Sequence, residues 1–129
     1  KQPYSWRAAW LLWSCMEEND SRVQKHVKKL IAVLPERGDN QKREILKILQ
    51  LMDVPEDFEG LLFNYCVTVW EQMNKQPSVR INAYRMMVKI ARKHPDLMSE
   101  ILSLTENRYL QTLSPGVKHS VKKLLKELR

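Results

Sequence analysis

Few residues of this 129-residue chain have the types and spacing that chemistry asks for. Glu56, Asp57 and Glu59 bring three carboxylates together, the raw material of an acid–base pair. No nucleophile or set of metal ligands lies nearby. They read instead as acids in the first turn of a helix, where they complement its dipole. Cys15 and Cys66 each sit within an apolar pattern. Two buried, reduced thiols fit a reducing compartment and point to a cytoplasmic location. His26, His94 and His119 are scattered, and no Cys/His group has zinc-ligand spacing. No strand–turn–helix elbow frames a serine. Gly38, Gly60 and Gly116 are isolated, so no phosphate-cradling loop exists. The expectation is a chain with no catalytic residue, no cofactor and no metal site.

Binding has more to work with. Trp6, Trp10 and Trp13 fall at i, i+4 and i+7, along one face of a helix. A seam between helices accounts for such a strip; an exposed aromatic strip for a peptide or a base is the sharper alternative. Arg85, Lys89 and Arg92 form a basic stripe, Lys118, Lys122 and Lys126 a second, and Lys25, Lys28 and Lys29 a smaller cluster. Such stripes are ordinarily the solvated faces of amphipathic helices. The net charge of +7 comes from 22 basic and 15 acidic residues. Residues 1–64 hold ten of each, so the entire excess lies in residues 65–129, with twelve basic and five acidic side chains. This balance raises nucleic acid, an anionic membrane or an acidic partner as candidates.

The elements that would position these residues are helices. Hydrophobic residues at 43% and charged residues at 29% suit one folded domain. The longest apolar run, Ala8 to Trp13, has six residues, against the roughly 20 that a membrane span needs. No signal-peptide pattern is present, and the chain opens at Lys1 rather than Met. Apolar residues recur with helical period, and almost no strand-like alternation occurs. Pro35, Pro55, Pro77, Pro95 and Pro115 recur at intervals of 20, 22, 18 and 20. Proline breaks helix interiors and favours their starts. These breaks and the polar stretch Glu17–Ser21 predict seven helices, near 4–18, 21–34, 40–53, 57–75, 78–94, 96–112 and 115–128. Asp20, Asp39 and Ser114 are the expected N-caps.

The helices repeat. Pro77-Ser78-Val79-Arg80 and Pro115-Gly116-Val117-Lys118 both open a helix and both lead into an apolar stripe. Arg7, Arg43, Arg80 and Lys118 recur at 36, 37 and 38 residues. Each period holds two helices, giving units near 4–35, 40–76 and 78–112, with a terminal helix 115–128. Pro77-Ser78-Val79-Arg80-Ile81-Asn82-Ala83 resembles the start of a HEAT-like repeat, within the armadillo-type α-solenoid group. Pro115-Gly116-Val117-Lys118 is similar with Lys for Arg, Ser5-Trp6-Arg7-Ala8-Ala9 matches in part, and Gln41-Lys42-Arg43 matches least. The helix 78–94 is apolar around most of its girth and needs neighbours on several sides, which stacking supplies. A compact seven-helix bundle would supply them too.

The resemblance implies an all-α fold, a right-handed α-α superhelix of about three and a half units. It implies that second helices, here 57–75 and 96–112, line an inner surface and first helices an outer one. That places Tyr65, Trp70 and Tyr109 on the inner surface with Lys25, His26 and Lys29 at its rim. The basic stripes on 78–94 and 115–128 then face outward, away from a nucleic-acid groove. The tryptophan strip lies on the first helix of the array, where a polar face is usual, so it predicts native residues before Lys1 or a contact surface. The expected role is a non-catalytic interaction or scaffold module with a protein partner. Some HEAT-like proteins excise alkylated bases from DNA; that nucleic-acid-binding role is the alternative, and the second helices lack a convincing acid for it.

Overall fold

A computed structural model describes residues 21–128 of the chain. The expected helix 4–18, with Trp6, Trp10, Trp13, Cys15 and Arg7, and the expected cap Asp20 lie outside the described residues. The chain divides into two compact units, Lys1–Leu62 and Phe63–Arg129. Among the described residues every regular element is helical.

Unit 1 holds α1 (Ser21–Gln24), α2 (Val27–Val33) with a 3-10 turn at Leu34–Glu36, α3 (Asp39–Leu51), and the start of α4 (Glu56–Glu71). The expected single helix 21–34 is interrupted at Lys25–His26. There the backbone tightens, and His26 N donates to Val23 O at 2.8 Å. The apolar stripe survives the interruption: Val23, Val27, Ile31 and Leu34 are all buried. The 3-10 turn that holds Leu34 packs against α3, whose Leu46, Ile48 and Leu49 are buried in turn. Gly38, not Asp39, stands at the cap position of α3, and Asp39 falls within the first turn. The Gln24 amide closes the segment after α3. Its Nε2 donates to Asp53 O at 2.6 Å, and its Oε1 accepts from Asp53 N at 3.2 Å.

Unit 2 holds the second half of α4, then α5 (Pro77–Lys93), a 3-10 turn Pro95–Leu97, α6 (Met98–Ser103), α7 (Asn107–Leu110) and α8 (Pro115–Leu128). α5 starts on Pro77, where a missing N–H is no loss. Arg92 and Lys93 occupy its last turn, the favourable end for cations. Between them Val79, Ala83, Tyr84, Met86, Met87, Val88 and Ile90 are all buried. Its neighbours are α6, α8 and the 3-10 turn. Stacking on more than one side is what its apolar girth required.

The expected helix 96–112 is three short pieces. Its interruption at 104–106 has a tertiary cause. The carbonyl of Leu104 accepts a hydrogen bond from Trp70 Nε1 at 2.7 Å, and so turns out of the helical ladder. Thr105 Oγ1 donates back to Ile101 O at 2.6 Å, a local bond that competes with continued helix. The Ser114 cap of α8 is present, with Val117 N donating to Ser114 Oγ at 3.3 Å.

Candidate functional site

Arg80 is the centre of unit 2. It is fully buried, and its charge is met by oxygen atoms and a ring. Its Nε donates to Trp70 O at 2.8 Å, its Nη2 to Tyr109 O at 2.7 Å, and its Nη1 to Thr112 Oγ1 at 3.1 Å. The guanidinium carbon stands 4.5 Å from the centroid of the Trp70 ring. Trp70 O belongs to the last turn of α4 and Tyr109 O to the last turn of α7. These are carbonyls that a helix end leaves without an internal partner. One planar fork therefore closes two helix ends, a task that suits arginine and not lysine. Burial pulls the guanidinium below its ordinary pKa; arginine nonetheless keeps its proton.

The aromatic residues extend this network. The Trp70 and Tyr84 rings lie 4.8 Å apart and tilted by 43°. The Tyr84 hydroxyl shares a hydrogen bond with Thr105 Oγ1 at 3.2 Å. Burial pushes the Tyr84 phenol above its ordinary value, and the Thr105 bond pulls it partly back. Trp70 is wholly buried and Tyr109 is 8% exposed. The placement of both on an open inner surface is therefore corrected. Their hydrophobic area and their helix-end carbonyls are committed to the interior of unit 2. Tyr65 is half-buried on α4.

Of the remaining reactive groups, Cys66 and Glu59 are internal, and Glu56 and Asp57 are exposed. Cys66 is buried, and desolvation raises its thiol far above the ordinary range, which removes the thiolate that nucleophilic chemistry needs. Glu56, Asp57 and Glu59 occupy the first turn of α4, with Glu59 buried. Among the described residues no group of three or more His, Cys, Asp or Glu side chains could hold a metal ion.

The rim residues of the sequence reading are on the outside. Lys25, His26 and Lys29 are exposed at the interruption between α1 and α2 and just beyond it. Lys28 lies beside them, its Nζ 5.5 Å from the centroid of the Phe58 ring, which ties α2 to the first turn of α4. Sequence reasoning singled out Arg80 as a repeat marker but not as the hub of a network. Its signal was present: a recurring basic residue four positions into a Pro-led helix, ten residues after a tryptophan.

A family model described as a HEAT repeat domain matches residues 1–128. No curated protein and no solved structure matches the chain. Among the described residues, no helix is long and apolar enough to cross a membrane.

Proposed function

The chain belongs to the HEAT repeat domain family, and from that premise we propose that it is a non-catalytic interaction or scaffold module for a protein partner. In this reading its repeat units fall near 4–35, 40–76 and 78–112 with a terminal helix at 115–128, and its buried thiol suits the cytoplasm. One observation carries this reading. In unit 2, Arg80, Trp70, Tyr84 and Cys66 are buried and bonded or desolvated, committed to holding the fold. Recognition is left to the outside, where Lys25, His26 and Lys29 stand exposed.

The test is affinity capture from the source cells with wild type and with the Lys25→Glu/Lys29→Glu variant, then reconstitution with the purified partner. A defined complex that forms with wild type and weakens in the variant is expected. The alternative, binding nucleic acid as an alkylated-base-excising relative would, is checked by titrating single- and double-stranded oligonucleotides at low salt. Tight binding that falls steeply with added salt, with no protein partner recovered, would overturn the proposal.

A further inference from the structure

The charge asymmetry of the sequence coincides with the two units. Unit 1 holds ten basic and ten acidic residues, and unit 2 twelve basic and five acidic. Arg80 is buried. Eight of the other eleven cations of unit 2 lie on α5 and α8, and Glu127 is the single acid of these two helices.

Two contacts fix how α5 and α8 lie. Near the start of α5, Arg80 bonds Tyr109 O and Thr112 Oγ1, just ahead of α8. At its end, Arg92 Nη2 meets Glu127 Oε2 at 3.3 Å. The two helices therefore pack side by side and run in the same direction. That register aligns their charges. One turn before Arg92 and Glu127 stand Lys89 and Lys123, and a further turn back stands Arg85 opposite small Ser120. Arg85, Arg92 and Lys123 are exposed and Lys89 is half-buried. Successive turns advance about 5.4 Å, so the seam presents cations in steps, with one carboxylate at its far end.

We propose that the seam between α5 and α8 receives an acidic segment of a partner protein; this rests on the interaction-module reading. The segment places carboxylates against Arg85 and Lys123 and a basic side chain against Glu127. Nucleic acid fits this seam less well for two reasons. Tyr84, the one aromatic residue of the two helices, is buried, so no exposed ring is offered to a base. A run of phosphates would also meet Glu127, whereas a protein can answer it with Lys or Arg.

The experiment titrates the whole protein with a synthetic helical peptide carrying Glu at every fourth position and a Lys one turn beyond. A Gln-for-Glu peptide and a DNA duplex serve as comparison probes. The acidic peptide binds wild type, and Arg85→Glu/Lys123→Glu weakens it about tenfold or more. Arg37→Glu, at an exposed cation of unit 1, leaves it unchanged, and circular dichroism is the same for all variants. Binding indifferent to Arg85→Glu/Lys123→Glu, no binding of the peptide, or a duplex that binds more tightly at equal salt would each overturn the seam. Peptide binding lost only in the Lys25→Glu/Lys29→Glu variant refutes the seam and leaves the module reading standing. Failure of a captured partner as well refutes both.

Discussion

Arg80 donates from Nη2 to the carbonyl of Tyr109 at 2.7 Å, 29 residues further along the chain. That bond joins the start of α5 to the end of α7, and the same guanidinium holds the end of α4 through Trp70 O. A charge-assisted hydrogen bond contributes about 1.5–3 kcal/mol, and a buried carbonyl left without a donor costs about 1–3 kcal/mol. Arg80→Ala should therefore destabilise unit 2 by about 3 kcal/mol or more. Arg80→Lys keeps the charge but loses the fork, and should recover only part of that. Denaturant unfolding measures both. A change below about 0.5 kcal/mol, typical of surface substitutions, would show that the network is not holding the fold.

Trp70→Phe keeps a large ring and removes the donor to Leu104 O. The cost expected is about 1–3 kcal/mol, because the carbonyl stays buried. Hydrogen exchange should also speed up locally at 104–110, where the chain relies on that bond. Uniform exchange across unit 2 would contradict the local role.

Much of this architecture is legible in the sequence. Pro77 announces α5, Ser114 announces α8, and the apolar girth of 78–94 announces a helix packed on several sides. The interruption of 96–112 is not legible, because its cause is an indole 34 residues away. The burial of Trp70 and Tyr109 is hidden for the same reason. A helical pattern shows which residues share a face, and only the neighbours decide whether that face is open. Asp39 failed as a cap because Gly38 already supplies the extended backbone that a cap position needs.

Cys66 gives a pH dependence. Its thiol is raised in the folded state by burial, while the unfolded thiol ionises near pH 8.5. Below that pH both states are protonated and the group is neutral to folding. Above it the unfolded state loses its proton and the folded state keeps it, so stability falls by about 1.4 kcal/mol per pH unit. Cys66→Ala should flatten this decline when stability is measured from pH 7 to 10. An unchanged slope would contradict the burial of the thiol. In native protein at neutral pH, Cys66 should also resist alkylation until denaturant is added.

Ser114→Ala removes the side-chain acceptor for Val117 N. A loss of about 1 kcal/mol is expected, the usual size for a helix cap. Ser114→Asp should restore it and add a favourable charge at the dipole's positive end. Thermal unfolding of the pair distinguishes a cap from a residue that merely precedes the helix.

The central claim is a division of labour: the buried network holds the fold, and exposed cations recognise a partner. One paired measurement tests it, with stability and affinity for the captured partner determined on the same two variants. Arg80→Lys should lower unfolding stability by about 2 kcal/mol while the protein that remains folded binds the partner normally. Lys25→Glu/Lys29→Glu should leave stability within about 0.5 kcal/mol and weaken binding. If the exposed variant bound as wild type, or if the folded fraction of Arg80→Lys lost the partner, the division would be wrong.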